Sequence, residues 1–356
     1  MHMADALLSP ATGLVMWAAA GTALAVASRV VKARADDALV PLMGMLGAFV
    51  FAAQMINFSI PGTGSSGHLG GGLLLAMLMG PHAALVVISS VLTVQALFFA
   101  DGGLLALGAN IFNIGVLPCL VAYPLVYRPL AGVAPSRRRL TLAAGLAAML
   151  ALQLGAMGVV LQTVMSGISG LSLEGFAWLM LPIHAAIGVV EGAATVAIVL
   201  FVQRHRPELL HGAAPEGVAP RLRPALLAAG LATLALGGVG SWFASADPDG
   251  LEWSVQRAGV NAVAATTPAG LHDTLAAVQK RTALLPDYGL PDDAVSTSPA
   301  GDAPSTPAQA SQPQAWPAVN AGTSLAGVVG GVTTLGLVLA VGLLLRRRRQ
   351  PASARP

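Results

Sequence analysis

The feature that most constrains this chain is a series of long apolar segments. A helix needs roughly 20 apolar residues to cross a bilayer, and eight segments approach or reach that length. They cover residues 12–31, 39–58, 83–99, 104–127, 140–164, 176–201, 225–243 and 325–345. A ninth segment, 69–79, is too short for an ordinary span and predicts a short or tilted helix. The pattern therefore predicts an all-α, polytopic membrane protein.

The composition supports the same fold class. Hydrophobic residues make up 55% of the chain and charged residues only 10%, and the mean hydropathy is +0.72. These values are far from those of a soluble domain. We therefore expect the membrane, and no nucleic acid, among the partners of this protein.

The basic residues predict the orientation, because positive charges concentrate in cytoplasmic loops. The basic clusters are Arg29, Lys32 and Arg34; Arg128 and 137–139; Arg204 and Arg206; Arg221 and Arg223; and 346–349. If the short segment counts as a crossing, all of these clusters fall on one side. We therefore expect a bacterial plasma-membrane protein with an external N-terminus and a cytoplasmic C-terminus.

Along the chain, the segments divide into two parts. Residues 1–207 contain seven predicted helices, counting the short one, and 208–224 form a polar, Pro- and Gly-containing cytoplasmic linker. Residues 225–356 form a two-helix hairpin around an external loop, 247–322. Within that loop, 296–317 is rich in Ser, Thr, Pro, Ala and Gln, a composition typical of disorder.

The start of the chain offers a metal-binding pattern. The α-amine of Met1 and the amide and imidazole nitrogens of His2 can form fused chelate rings, and His68 in the glycine-rich run 61–72 can add a fourth nitrogen. The predicted topology puts all three residues on the external side. Four nitrogens in a plane suit Ni²⁺ or Cu²⁺ better than Zn²⁺ or Mg²⁺, and by extension low-spin Co²⁺. The chelate needs an uncleaved Met1, and the N-terminus lacks the basic leader and cleavage pattern of a signal peptide.

An alternative interpretation is that Met1-His2 is coincidental and that His68 simply bonds to loop backbone. Asn57, just before the glycine-rich run, and Ser65 and Ser66 within it are candidates for orienting the metal ligands. In the predicted span 176–201, His184 and Glu191 lie two turns apart on one helix face. They predict either a proton relay, a transient metal step or a structural hydrogen-bond network.

Several classes of protein are excluded by missing motifs. The two lysines, Lys32 and Lys280, lie in no G-x-x-x-x-G-K-[ST] loop, so this chain cannot hydrolyse ATP in that way. It also lacks the H-E-x-x-H zinc-protease motif, and its single cysteine, Cys119, excludes an internal disulfide. We therefore expect a protein that is not an enzyme.

Two motifs resemble known families. Met1-His2-Met3-Ala4-Asp5 and the run 56–71, I-N-F-S-I-P-G-T-G-S-S-G-H-L-G-G, closely resemble the CbiM/NikM substrate-binding components of energy-coupling factor (ECF) transporters for cobalt and nickel. The run 247–253, D-P-D-G-L-E-W, and 285–289, L-P-D-Y-G, resemble the companion CbiN/NikN hairpin with its PDGLE signature.

The resemblance implies a function and a set of partners. It implies that Met1, His2 and His68 hold a transported Ni²⁺ or Co²⁺, with no permanent cofactor, and it assigns no ligand role to Asp249 or Glu252 in a hairpin that assists loading. It implies a transmembrane coupling protein (CbiQ/NikQ type) and an ABC ATPase (CbiO/NikO type) as partners, and supply of cobalamin biosynthesis or nickel enzymes. The alternative function is an ion-coupled secondary transporter of divalent metal that uses His184 and Glu191. The residues leave the choice between cobalt and nickel open.

Overall fold

A computed structural model describes residues 1–34, 38–133, 135–210, 222–259, 270–290 and 316–346. These residues confirm an all-α, polytopic membrane fold. Within them, six helices are long and apolar enough to cross a membrane, and two shorter apolar helices accompany them. The predicted disordered segment lies outside the described residues except for 316 and 317, and most of the predicted linker, 211–221, also lies outside.

The first part of the chain contains seven helices, as predicted. They are α1 (Pro10–Arg34), α2 (Leu39–Gln54), α3 (Gly72–Met79), α4 (Pro81–Phe98), α5 (Leu107–Ala131), α6 (Arg137–Ser166) and α7 (Leu173–His205). The middle of α5, Ile111–Tyr127, is π-helical and contains two prolines. The short α3 is buried along its whole length and lies in the centre of the bundle.

The predicted span 39–58 extends beyond the C-terminal end of the observed helix. Helix α2 stops at Gln54, and the chain instead forms an antiparallel ribbon of β1 (Phe58–Ile60) and β2 (Ser65–Gly67). Pro61 cannot continue a helix, and Gly62 and Gly64 adopt positive φ angles of 76° and 70° in the connecting turn. This ribbon is the only sheet among the described residues.

The second part forms the predicted hairpin, with additional helices in its loop. The hairpin helices are α8 (Leu222–Gly238) and α11 (Ala321–Leu345), and the loop helices are α9 (Gly250–Arg257) and α10 (Leu271–Thr282). The predicted span 225–243 is again too long, because α8 ends at Gly238 and a short 3₁₀ turn, Gly240–Phe243, follows.

Small residues bring the hairpin close to the first part. A Cβ added to Gly330 of α11 would lie 2.0 Å from the ring of Phe51 in α2, and one added to Gly342 of α11 would lie 2.8 Å from the side chain of Val40 in α2. Such contacts are typical of membrane helices that pack through glycine. The hairpin therefore packs directly on the first part of the chain.

Candidate metal centre

The first residues of the chain are fixed across one end of the bundle. The side chain of Asn110 holds the backbone of Met3 twice: its Oδ1 accepts from the Met3 amide at 2.8 Å, and its Nδ2 donates to the Met3 carbonyl at 3.2 Å. Next along the chain, Asp5 accepts the amide proton of Ala106 at 2.9 Å. As a result Met1 is buried, with 8% of its surface exposed.

His68 follows directly after strand β2. Two glutamines support its loop: Gln95 donates to Gln54, which in turn donates to the Gly70 carbonyl at 2.9 Å. The Nδ1 of His68 lies 3.1 Å from the Leu69 carbonyl. Because a carbonyl only accepts, Nδ1 carries the proton and Nε2 keeps its lone pair.

The structure brings Met1, His2 and His68 together. The α-amine of Met1 lies 3.5 Å from Nε2 of His68, and the rings of His2 and His68 stack with their centroids 5.0 Å apart. Two neighbouring nitrogens that share a metal at about 2.0 Å lie roughly 2.9 Å apart. A small movement would therefore let the amine and His68 bind one ion.

His68 is in the protonation state that a metal requires. Burial, followed by the charge of the neighbouring amine, lowers the pKa of His68 to about 3. Its ring is therefore neutral at physiological pH, and a neutral imidazole is the form that coordinates metals.

His2 shows a different arrangement from the predicted chelate. Its Nδ1 lies 2.8 Å from Oδ1 of Asp101, and its Nε2 is buried without a hydrogen-bond partner among the described residues. Fused rings with the amine and amide use Nδ1, the ring nitrogen nearer the backbone. To complete the chelate, the ring of His2 would have to turn away from Asp101.

Asp101 is a site residue that the sequence analysis missed. It accepts from the hydroxyl of Tyr288 in the hairpin loop at 2.5 Å, in addition to its contact with His2. Burial opposes ionisation, but the charge of His2 and the bonds from His2 and Tyr288 lower the pKa of Asp101 to about 2. The sequence did contain one signal that could have identified Asp101: it is the sole acidic residue between positions 38 and 173.

The hairpin loop contributes a second carboxylate, Asp249, to the site. Its Oδ2 lies 2.7 Å from the Met1 amine, and its Oδ1 caps α9 by accepting from Leu251 and Glu252. Burial opposes ionisation, but the charge and hydrogen bond of the amine keep the pKa of Asp249 well below its usual range. The sequence analysis gave Asp249 no part in the site, whereas the structure places it against a predicted ligand.

The ribbon explains how Asp249 reaches the amine. The amide of Ser66 donates to the Pro248 carbonyl at 2.8 Å, so the hairpin loop runs beside β2 as a short parallel bridge. The indole of Trp253 adds a bond to the Thr63 carbonyl at 2.9 Å. Thus β2 leads into His68 and also positions Asp249.

Two of the three residues predicted to orient the ligands, Asn57 and Ser66, bond to the hairpin loop instead, and the third, Ser65, bonds within β2. The Asn57 carbonyl accepts from the amide of Ser245 at 2.8 Å, and the Ser66 hydroxyl donates to the Asp247 carbonyl at 2.7 Å. Ser65 is buried and donates to its neighbour's carbonyl at 3.3 Å. The contacts to ligands come instead from Asp101 and Asp249.

His184 and Glu191 lie on one face of α7, as predicted, but each bonds elsewhere. His184 Nδ1 lies 2.8 Å from the Met180 carbonyl, and Glu191 Oε1 accepts the Gly71 amide at 3.2 Å. Glu191 therefore supports the glycine-rich loop. Among the described residues no three His, Cys, Asp or Glu side chains form a metal cluster. The predicted chelate is of another kind, because it uses the α-amine of Met1 and the amide of His2 as well as two imidazoles.

Two protein families match this chain, one in each of its parts. A family described as "Cobalt uptake substrate-specific transmembrane region" (CbiM) matches residues 2–209, and the "PDGLE domain" family matches residues 223–347. The fused nickel transport protein NikMN of Rhodobacter capsulatus is 34% identical over 240 residues, which cover 63% of this chain and 66% of that protein.

Two further similarities cover the first part of the chain. The cobalt transport protein CbiM of Sorangium cellulosum is 31% identical over 225 residues, covering 59% of this chain and 94% of that protein. A crystal structure of a transition metal transporter has a TM-score of 0.51 and 31% identity, covering 57% of this chain and 93% of that one. These relatives are metal transport proteins rather than enzymes. The chain therefore belongs to the CbiM family of cobalt and nickel transport proteins, as a multi-pass membrane protein with a fused PDGLE domain.

Proposed function

We propose that this chain is the metal-capture subunit of an ECF-type importer for Ni²⁺ or Co²⁺. Met1, His2 and His68 would bind the transported ion through the amine, one amide and two imidazoles. The observation that carries the proposal is the 3.5 Å approach of the Met1 amine to His68 Nε2, with the His2 ring stacked beside them. An all-nitrogen, planar set favours these ions over Zn²⁺ or Mg²⁺.

The source of energy would lie in separate proteins. Because the sequence has no phosphate-binding loop, ATP hydrolysis would come from an ABC ATPase of the CbiO/NikO type, joined through a coupling protein of the CbiQ/NikQ type. The imported ion would supply cobalamin biosynthesis or nickel enzymes. The relatives named for nickel and for cobalt support both ions.

The PDGLE hairpin would order the N-terminus for capture. Asp249 binds the Met1 amine, and Tyr288 binds Asp101, which in turn holds His2. A protonated amine has no lone pair for a metal, so Asp249 would hold the amine in place until the metal displaces its proton. This role is one of positioning and leaves the ligands with the first part of the chain.

Uptake by cells tests the proposal against a secondary permease. The alternative is supported by two buried atoms in α7, Nε2 of His184 and Oε2 of Glu191, which have no hydrogen-bond partner in the part of the chain that the structure describes. Cells lacking other nickel or cobalt importers would express the chain with its coupling protein and ATPase. We expect uptake that disappears when the ATPase is inactivated. Uptake that persists without the partners and collapses with an uncoupler would instead establish the permease.

Labelling of single cysteines tests the proposed orientation. Cys119 is buried and would be replaced by Ala. A membrane-impermeant maleimide should label Asp273→Cys, in the hairpin loop, in intact cells, and His205→Cys, at the end of α7, only after permeabilisation. Both positions are exposed, so their accessibility to the reagent is matched. The reverse labelling pattern would invert the topology.

A further inference from the structure

One buried histidine remains without an assigned role. His184 lies three turns into α7 and is 1% exposed. Its Nδ1 lies 2.8 Å from the Met180 carbonyl, so Nδ1 carries the proton and Nε2 presents a lone pair. That Nε2 has no hydrogen-bond partner among the described residues. Buried nitrogens are normally satisfied, so an unpartnered one requires an explanation.

His184 lines a small cavity beside the candidate metal centre. The cavity has a volume of about 20 Å³, and its polar lining comes from Met1, His68, His184 and Asp249. A space of this size holds one water-sized particle. His184 therefore shares with two predicted ligands a space that fits a single ion or water molecule.

The hairpin closes this cavity at the position of His184. A Cβ added to Gly250 would lie 2.9 Å from Cε1 and 3.2 Å from Nε2 of His184. Glycine thus allows the hairpin loop to approach the imidazole, and the neighbouring Asp249 brings a negative charge to the same space. A cation in the cavity would meet an imidazole nitrogen on one side and a carboxylate on another.

We propose that Nε2 of His184 is a further ligand of the transported metal, which it binds from the membrane-facing side of the site. This proposal rests on the proposed function, because it needs an ion already held by Met1, His2 and His68. Once His2 has turned to complete the chelate, those residues would provide four nitrogens in a plane, and His184 would add a fifth nitrogen outside that plane. Imidazole is a suitable ligand for nickel and, by the same chemistry, for cobalt.

Electron paramagnetic resonance of Co²⁺ tests the proposal directly. Low-spin Co²⁺ with one axial nitrogen shows each cobalt line split into three by ¹⁴N, and into two when that nitrogen is ¹⁵N. The purified full-length chain would be loaded with Co²⁺ without oxygen, and metal per chain would be measured in the same sample. We expect the triplet in the wild type and a doublet after labelling with ¹⁵N-histidine.

Variants identify the histidine responsible. His184→Phe should lose the triplet and still bind one Co²⁺, whereas His205→Phe, an exposed control at the far end of α7, should keep it. If His184→Phe does not accumulate, His184→Gln provides the same test, because an amide that binds through oxygen gives no nitrogen triplet.

The remaining outcomes separate the two proposals. One Co²⁺ per chain without a triplet in the wild type, or a triplet that survives in both His184 variants, would overturn the role of His184 and leave the proposed function standing. That result would assign the cavity to a water molecule. A wild-type chain that binds no Co²⁺ and no Ni²⁺ would overturn the proposed function and the role of His184 with it.

Discussion

Two loops reach the N-terminal amine, and they offer it different chemistry. The glycine loop, residues 58–72, brings the neutral imidazole of His68 to 3.5 Å from the amine. The hairpin loop, described over 244–259 and 270–290, brings the carboxylate of Asp249 to 2.7 Å. The imidazole of His68 offers a lone pair, whereas the carboxylate of Asp249 offers a negative charge.

The difference shows how capture and binding can be divided within one chain. An imidazole made neutral by burial is a metal ligand but does not attract an ammonium group strongly. A carboxylate that stays ionised holds the ammonium form of Met1 through charge and a hydrogen bond. The glycine loop would therefore complete the metal site, while the hairpin loop keeps the amine beside it.

The largest effect should come from blocking the amine, because both loops act on it. An uncleaved tag before Met1 should reduce bound metal from one ion per chain to background, as the amine and the position of His2 are both lost. The same tag after Pro356 is the matched control and should leave binding intact. Metal content by mass spectrometry and cellular uptake check this, and full uptake with the N-terminal tag would contradict the chelate.

Replacing the glycine-loop ligand should have the next largest effect. His68→Ala removes one of four nitrogens, so we expect affinity for Ni²⁺ to fall by about 100-fold or more, the upper end of what loss of an outer partner costs. His205→Ala, an exposed histidine at the opposite end of the molecule, should bind as the wild type does. Isothermal titration of the three proteins measures this; equal affinities would show that His68 is not a ligand.

Deleting the hairpin from Ala225 onward should lower uptake strongly while saturating metal still loads one ion per chain. All the predicted ligands, Met1, His2 and His68, lie in the first part. Supplying residues 222–356 as a separate chain is the control and should restore uptake. A truncated protein that cannot hold one ion, even at saturating Ni²⁺, would show that the hairpin contributes a ligand.

Asp249→Asn isolates the charge of the hairpin loop. Asparagine caps a helix about as well as aspartate, so α9 should persist while the ion pair with Met1 is lost. We expect about a 10-fold loss in affinity, the lower end for a supporting partner, measured by titration and by uptake at limiting metal. Asp273→Asn, an exposed carboxylate on α10, tests general attraction of cations, which salt screens. Equal losses of affinity in both variants would mean that Asp249 contributes only to the general attraction of cations by the negative charge of the hairpin loop.

The sequence predicted the metal ligands, including His68 of the glycine loop, but not the carboxylates that contact them. Met1, His2 and His68 were predicted because chelation depends on residue type and local order, and the positive-inside pattern placed them on one side. Asp249 and Asp101 were missed because their roles arise from a bridge between β2 and the hairpin loop, a contact between residues about 180 positions apart. The apolar pattern also predicted the helical bundle. It placed the C-terminal ends of α2 and α8 too late, because the residues that follow these helices are apolar as well and form turns instead of helix.

The smallest effect should come from Tyr288→Phe, which tests how far the hairpin's influence extends. The change removes the hydroxyl that donates to Asp101 and keeps the ring, which stacks on Phe99 with centroids 5.0 Å apart. Asp101 would then hold the His2 ring less firmly. Because chelation requires that ring to leave Asp101, we expect a gain in Ni²⁺ affinity of less than about 10-fold.

A double-mutant cycle makes this last prediction decisive. If Tyr288 acts through His2 and Asp249 acts through the amine, both act on one chelate, and the effects of Tyr288→Phe and Asp249→Asn on Ni²⁺ affinity should not simply add. Tyr127→Phe, which removes a hydroxyl at the other end of α5, is the matched control and should have no effect on binding. Strictly additive effects would show that the hairpin loop acts on the Met1 amine and on the His2 imidazole independently.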